Sequence, residues 1–458
     1  MTADGTPADG PPPGHDPAAN PLGHGPVLLL VGARLTDGRV VDVRVSGDRI
    51  QAVGATGTLG PLPVVPGGPT STTGARIDLS GYLLLPAPAE AHAHYDVAFS
   101  AAPAAGPRER AGGEQGAVGE QGAGDRQRRE ESVEELTRRV TEAALTSLGY
   151  GATAQRTHVR IGGADGLRGL EAVLTARQAL RGLVELQAVA MPRLLTGAAG
   201  AAGRAQLRDA LKLGATAAGG CPDLDPDPIG YVQVLLEAAR DADCPVDLHT
   251  DAADPAVLAR LAAALAPLRP RVTLGPCSAL GPEGPGVLAG AGIRVVCLPQ
   301  NGCCTGIGGR PAGLRPSLVA ELAGAGIPLA AGSGSLRDAA NPAGRADPLE
   351  AAYLLAAGGA TTVEAAYDAV ANQARAALGL PPVRVDAGFP AELLAVRGDS
   401  LAGALAGGHS RLVVHSGRIV SRTSAVREFA DTVALALPRQ STPGQPGGTP
   451  GGAPGTAS

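Results

Sequence analysis

The residues of this chain best suited to chemistry are two histidines, His92 and His94, at the end of an apolar run that begins at Leu83. Side chains two residues apart on an extended strand point to the same side, so both imidazoles can reach one metal ion. The alternative is a pair of polar residues at a strand end, because a single His-x-His pair is a weak signal. Its place directly after an apolar strand with prolines favours the metal site.

Other candidates end further apolar runs. His158 follows Arg156 and Thr157, and His249 and Asp251 end the run that begins at Val246. Three cysteines could offer a thiolate ligand or a nucleophile, although buried packing residues are the more common use of cysteine. They are Cys277, Cys303 and Cys304.

The elements that position these residues alternate regularly. We count eight short apolar runs, ending near His92, His158, Pro192, Cys221, His249, Cys277, Gln300 and Ser333. Helical stretches such as Ser132–Leu148, Tyr231–Ala242 and Pro255–Leu265 lie between them. Eight strand–helix units are typical of an α/β protein with a (β/α)8 TIM barrel, whose chemistry lies at the C-terminal ends of the strands. A doubly wound sheet could use the same alternation.

Both flanks of this region read as short strands with turn signals. We therefore predict a small β-sandwich domain that both flanks form together, in segments 27–82 and 381–430, around a barrel over 83–380. Gly- and Pro-rich composition predicts disordered tails at 1–26 and 438–458 and a low-complexity surface insertion at 103–129.

Composition excludes several classes of protein. The 458 residues are 44% hydrophobic and 18% charged, with a formal net charge of −5, so neither nucleic acid nor an anionic membrane is an expected partner. No run approaches a membrane span of about 20 apolar residues. The N-terminus lacks the basic start and apolar core of a signal peptide, which predicts a cytoplasmic protein. Whether the chain forms a homo-oligomer is left open.

The stretch from Val27 to Asp96, with its short strands followed by a proline-rich strand and His92-x-His94, resembles the opening of the amidohydrolase superfamily. Arg156-Thr-His158-Val, Leu186-Gln-x-Val-Ala and His249-Thr-Asp251 resemble the cytosine deaminase-like subfamily in particular. The similarity extends from about Val27 to Arg427. It implies a hydrolase that acts on C–N bonds of a cyclic amide or amidine.

The resemblance also implies a mononuclear site for one divalent metal, zinc or iron, that activates a bound water. His92, His94 and His249 match three of its ligands, and an aspartate from strand eight is the fourth. A glutamate after the strand-five histidine would move protons, and a strand-six histidine would assist. The substrate would be a small heterocycle.

Several of those positions are changed in this chain. Ala252 stands at the glutamate position, Pro276 at the strand-six histidine and Gly334 at the metal aspartate. Alanine and glycine side chains neither bind metal nor transfer protons. Arg193 stands where a glutamine would read the substrate; it could bind an anionic group or only fill the vacated space.

Three hypotheses follow. The first is an amidohydrolase with an altered or impaired site, in which His92, His94 and His249 bind metal, Asp251 replaces the missing base, and Arg193 and His158 bind substrate. The second is an inactive pseudoenzyme that keeps the barrel as a binding or assembly module. The third is a thiol or redox role for the cysteines.

Overall fold

The computed structural model describes residues 27–62, 74–101, 131–163, 165–300 and 316–425. The predicted tails, the predicted insertion, Cys303 and Cys304 lie outside the described residues. Among the helices of the described ranges, none has the length and apolar character needed to cross a membrane.

A small sheet is built from both flanks of the chain. Its strands run in the order β16-β15-β14-β5-β1-β2-β3, with β4 paired to β1. Gly47 has a φ of 59°, a left-handed conformation that suits glycine and allows the tight turn between β2 and β3. The strands are β1 (Val27–Arg34), β2 (Val40–Ser46), β3 (Arg49–Ala55), β4 (Gly74–Asp78), β5 (Tyr82–Pro86), β14 (Leu393–Arg397), β15 (Arg411–His415) and β16 (Arg418–Thr423).

Strand β5 belongs to this small sheet, where it pairs with β14 from Tyr82 to Pro86. The boundary predicted between residues 82 and 83 therefore falls inside a strand, and the first barrel strand begins only at Ala89. The sequence predicts a single strand from Leu83 because the apolar composition of this run does not show where the strand of one sheet ends and the strand of the other begins.

Eight parallel strands form the barrel, in chain order from β6 to β13. The predicted TIM barrel with a small β domain is confirmed, and the eight predicted strand ends lie within three residues of the observed ones. The strands are β6 (Ala89–Ala93), β7 (Ala154–Ile161), β8 (Glu185–Pro192), β9 (Ala217–Gly220), β10 (Val246–Thr250), β11 (Val272–Pro276), β12 (Arg294–Cys297) and β13 (Leu329–Ala331).

The seam between the last and first barrel strands is closed just beyond β13. The Gly334 N–H donates to the His92 carbonyl at 2.9 Å, and Gly334 pairs in parallel with Ala93. A Cβ at Gly332 would lie 2.7 Å from Glu90 Oε1 and 2.9 Å from the His92 nitrogen. Glycine at 332 therefore permits the close approach that brings this segment beside the His-x-His strand.

Helices between the strands cover the barrel. The first, α1, begins after a capping box in which Ser132 and Glu135 bond each other's backbone N–H groups, and α5 begins after Asp254, which accepts from the first helical turn. The helices are α1 (Val133–Gly149), α2 (Arg168–Ala179), α3 (Ala201–Leu213), α4 (Pro228–Asp241), α5 (Pro255–Leu265), α6 (Gly284–Ala291), α7 (Pro316–Gly324), α8 (Pro348–Ala357), α9 (Val363–Val370), α10 (Asn372–Ala377) and α11 (Leu401–Gly407).

Candidate metal centre

Three imidazoles from two barrel strands meet at the C-terminal ends of those strands. His92 lies near the end of β6, His94 directly after it, and His249 near the end of β10. The Nε2 atom of His249 is 2.7 Å from Nε2 of His92 and 3.1 Å from Nε2 of His94. All three side chains are buried. The structure therefore brings together the three residues that the sequence predicted as ligands.

The spacing of these nitrogens suits a metal ion. Zinc–nitrogen bonds in a tetrahedral site place the ligand nitrogens about 3.3 Å apart. The two separations from His249 Nε2 are slightly shorter, so an outward movement of the His249 ring would make room for an ion. Each neutral imidazole carries a single N–H. Nε2 of His249 can therefore donate one hydrogen bond, to His92 or to His94, or accept with its single lone pair, but it cannot satisfy both neighbours fully. A cation between the rings satisfies all three lone pairs.

His158 is the fourth histidine of this cluster. Its ring stacks on that of His92, with centroids 4.0 Å apart and planes inclined by 27°. By ligand-atom distance alone, the group among the described residues that could hold a metal ion is His92, His158 and His249, without His94. Metal-binding lone pairs lie in the ring plane, however, and two stacked rings cannot both direct them at one ion. The rings of His92, His94 and His249 are inclined to one another by 53–69°, so their in-plane lone pairs can point towards one ion.

Burial and the neighbouring imidazoles keep His92 and His249 neutral. Burial, followed by repulsion from His158 and His94, holds the pKa of His92 well below its usual value. Burial and repulsion from His92 and His158 do the same for the pKa of His249. Neutral imidazole is the form that binds a metal, so these rings need release no proton to bind one near neutral pH.

A buried ion pair lies beneath the histidines. Arg156 donates to Asp247 Oδ2 at 2.8 Å, and Asp247 Oδ1 is 3.2 Å from His158 Nε2. Burial raises the pKa of Asp247. The interactions of its carboxylate with His158 and Arg156 outweigh this effect of burial and hold the pKa below its usual value. Asp247 therefore contacts His158, and the stacked His158 ring in turn supports the face of His92.

A second buried carboxylate, Glu90, ties the barrel seam to the His-x-His strand. It accepts from the backbone N–H of His92 at 3.0 Å and from the Ser333 hydroxyl at 2.5 Å. Burial raises the pKa of Glu90 to about 7. Sequence reasoning missed this contact because Glu90 and Ser333 are far apart in the chain, although Glu90 precedes His92 by two residues and shares its side of the strand.

The three changed positions lie at the ends of β10, β11 and β13. Ala252 is buried, with a φ of 53°, and Pro276 is the last residue of β11. Gly334 has a φ of 75°. Neither the Ala252 methyl, the Pro276 ring nor Gly334 can bind a metal ion or carry a proton.

Asp251 is half-buried and follows β10 directly. Its Oδ1 atom accepts a hydrogen bond from the Ser278 hydroxyl, and its backbone N–H donates to Asp223 at 2.9 Å. Asp223 follows β9 and also accepts from the Thr250 hydroxyl at 2.9 Å. Burial raises the pKa of Asp223. Two carboxylates thus stand at neighbouring strand ends; Asp223 was missed because one aspartate after a short Gly-rich strand gives no periodic signal.

Arg193 follows β8 and is exposed. In the described part of the chain, no hydrogen bond or ion pair connects it to the histidines.

The cysteines of the described ranges show no sign of reactivity. Cys277 and Cys297 are fully buried, and burial raises the pKa of Cys277 far above its usual value and that of Cys297 to about 12. Their thiols are protonated near neutral pH, which suits packing residues more than ligands or nucleophiles.

Comparisons with known proteins found similar sequences and similar folds. The chain is 27% identical over 395 residues to a pterin deaminase from Rhizobium rhizogenes, which covers 81% of this chain and 88% of that protein. The structure resembles an N-isopropylammelide isopropylaminohydrolase from Burkholderia multivorans, with a TM-score of 0.71 and 28% identity over 87% of this chain and 99% of that one.

A 5-methylcytosine deaminase from Klebsiella pneumoniae shares the fold, with a TM-score of 0.69 and 22% identity over 89% of this chain and 100% of that one. No family model matches the sequence. The barrel, the small sheet from both flanks, the His-x-His strand and these similarities together indicate a likeness to deaminase-like members of the amidohydrolase superfamily.

Proposed function

We propose that this protein hydrolyses a C–N bond of a small cyclic amide or amidine at a mononuclear metal site held by His92, His94 and His249. The convergence of their Nε2 atoms at the C-terminal ends of two barrel strands carries the proposal. Its similarity to a pterin deaminase and to an N-isopropylammelide isopropylaminohydrolase supports a heterocyclic substrate.

A zinc or iron ion, when bound, would supply the Lewis acidity that activates a water molecule. The chain's contribution is to hold three neutral imidazoles in place. His158, which is stacked on His92 and paired with Asp247, limits the rotation of the His92 ring. Burial of the cluster excludes bulk water from these groups.

Hydrolysis of a C–N bond requires a proton on the departing nitrogen, and Ala252 cannot deliver it. We assign this transfer to Asp251, two residues after His249. The Ser278 hydroxyl orients its carboxylate, and Asp223 holds its backbone N–H. Asp251 is half-buried, so solvent can return the proton.

Arg193 and His158 are the proposed substrate-binding residues. Arg193 is exposed at the end of β8, where a guanidinium can bind a carboxylate or another anionic substituent through paired hydrogen bonds. His158 is fully buried, so any direct contact with substrate would be made from below the metal centre.

The first test is metal content by elemental analysis of the purified protein and of a His92→Ala/His94→Ala double variant. We expect about one zinc or iron per wild-type chain and none in the variant. Turnover is then measured with amino-substituted heterocycles, with and without an anionic substituent. We expect turnover in the metal-loaded wild type, loss of turnover in His249→Ala and a large decrease in Asp251→Asn.

A pseudoenzyme is the second candidate, and two observations favour it. Ala252, Pro276 and Gly334 occupy positions that would carry the reaction in the family that the sequence resembles. In addition, Nδ1 of His92 and of His249 has no hydrogen-bond partner among the described residues, whereas metal-binding histidines usually donate from that nitrogen. Metal-free protein that binds a heterocycle without converting it would support this candidate, and metal-dependent turnover would refute it.

A further inference from the structure

Alternate side chains of β7 point into the barrel. Arg156 donates to Asp247 on β10 at 2.8 Å, and His158 lies 3.2 Å from the same carboxylate. Arg160 is the next residue in this series, because side chains two residues apart on a strand share one side. It is half-buried and lies one residue before the end of β7. Arg160 therefore points into the mouth of the barrel, one level above His158.

Two further observations agree with this orientation. Val159, which alternates with Arg160, faces outward against helix α2, where a Cβ at Gly169 would lie 3.4 Å from Val159 Cγ1. The charge of Arg160 also acts on His249. Burial is the main cause of the low pKa of His249, and repulsion from the other histidines and then from Arg160 lowers it further. The guanidinium is therefore close enough for its charge to reach the histidine cluster.

A second guanidinium stands at the neighbouring strand end. Strand β8 pairs with β7 in parallel, with Met191 beside Arg160 and Pro192 beside Ile161. Arg193 follows Pro192 directly and is exposed at the rim. Neighbouring strands lie about 4.8 Å apart, so the two long arginine side chains can reach one group between them.

Carboxylates occupy the next two strand ends. Asp223 follows β9 and Asp251 follows β10, and the strands lie side by side in the order β7, β8, β9, β10. Positive charge therefore stands over one pair of neighbouring strands, and negative charge over the next pair. A ligand that matches this separation has an anionic group at one end and hydrogen-bond donors, such as an amino group, at the other.

We propose that the barrel mouth selects a heterocycle that bears both an amino group and a carboxylate, with Arg160 and Arg193 together holding the carboxylate. A planar guanidinium binds a carboxylate through paired hydrogen bonds, and two guanidiniums fix its position as well as its charge. The amino group then lies towards Asp251, the residue assigned to proton transfer. Turnover of this ligand rests on the proposed function, whereas its binding does not.

The test compares each heterocycle as its carboxylate and as the matching carboxamide, which has a similar shape without the charge. The probes are amino-substituted pyrimidines, triazines and fused pyrimidines. Dissociation constants are measured by isothermal titration calorimetry with the full-length protein as purified, and again after a chelator has removed metal, because a carboxylate can also bind a metal ion. The variants are Arg160→Met and Arg193→Met, with Arg240→Met, exposed on helix α4, as the matched control.

We expect at least one carboxylate to bind the wild type at least about tenfold more tightly than its carboxamide. This preference should fall below about threefold in Arg160→Met and in Arg193→Met, and should remain unchanged in Arg240→Met. Absence of the preference in the wild type, or its retention in either of the first two variants, would overturn the inference.

Turnover of the same probes separates this inference from the proposed function. A carboxylate preference without turnover would support the inference and count against the proposed function, whereas turnover of uncharged heterocycles without any preference would do the reverse. If circular dichroism shows that Arg160→Met or Arg193→Met fails to fold, a crystal structure of the wild type with the tightest-binding carboxylate decides the question. Carboxylate oxygens within about 3 Å of both guanidiniums would support the inference, and any other position would overturn it.

Discussion

Replacing Asp247 by asparagine should expose how strongly the buried ion pair supports the metal centre. The side chains of Asp247 and Arg156 are each only 1% exposed, and Arg156 Nη1 lies 2.8 Å from Asp247 Oδ2. Asparagine keeps the shape of the side chain but removes its charge, so the Arg156 guanidinium is left buried without a counter-charge. Breaking a buried pair from one side costs about 3–5 kcal/mol of unfolding free energy.

Arg156 has a second partner that limits this cost. It donates to Gln187 Oε1 through Nε at 3.1 Å and through Nη2 at 2.8 Å. These neutral bonds satisfy its donors but do not compensate its charge. We therefore expect Asp247→Asn to cost about 3 kcal/mol, at the lower end of that range.

The assay is urea unfolding at neutral pH with a chelator present, so that metal binding does not contribute. The chain contains no tryptophan, so far-UV circular dichroism is the suitable signal. Arg156→Met and the double variant complete a thermodynamic cycle. If the uncompensated charge is the cause, the double variant should be more stable than the sum of the single effects predicts, by about 2 kcal/mol or more.

An Asp247→Asn variant within about 1 kcal/mol of wild type, or strictly additive effects, would refute this account. In that case Gln187 and the surrounding packing, and not the charge pair, would stabilise the base of the site.

Three further changes test other parts of the molecule. His415 and the Ser416 N–H hydrogen-bond to the Glu392 carboxylate. Burial raises the pKa of Glu392, but these contacts outweigh burial and lower it. The stability that the ionised carboxylate contributes is therefore present above the ordinary glutamate pKa of about 4.3 and is lost as pH falls through the lower pKa of the folded state. Glu392→Gln should therefore cost about 1–3 kcal/mol at neutral pH and progressively less as pH falls below about 4, in denaturant unfolding at neutral and at acidic pH. Gly334→Asp should bind zinc at least about tenfold more tightly than Gly334→Ala, which shares the strain of the positive φ without the carboxylate, and equal chelator-competition affinities would contradict this. Arg411 bonds Asp347 through two nitrogens at 2.9 and 2.8 Å, so Arg411→Met should lower the unfolding free energy by about 3–5 kcal/mol, and an unchanged urea midpoint would contradict it.

The sequence predicted the barrel because its signal is repetitive. Each strand–helix unit carries its own apolar run and its own helical stretch, so an error in one unit does not change the interpretation of the whole. The β5 strand shows the limit: its residues, Tyr82–Pro86, have strand composition, but composition does not say which sheet they join. That choice depends on pairing with β14, which lies about three hundred residues away.

The candidate site was only partly predictable for a similar reason. His92, His94 and His249 stand in short motifs at strand ends and could be identified one strand at a time. Glu90 and Asp223 carry no such motif, and their importance depends on contacts with distant segments.

The changed and retained residues lie side by side around the barrel mouth. Ala252 follows His249 at the end of β10, and Gly334 pairs with Ala93, next to His92. The histidine cluster is fixed from below by the Asp247 network, which none of the changes touches. The three histidines that would bind a metal are retained, whereas Ala252 and Pro276 occupy the two positions whose family residues would assist the chemistry. Bound metal alone would not distinguish an enzyme from a pseudoenzyme, and turnover by the metal-loaded protein is the measurement that does.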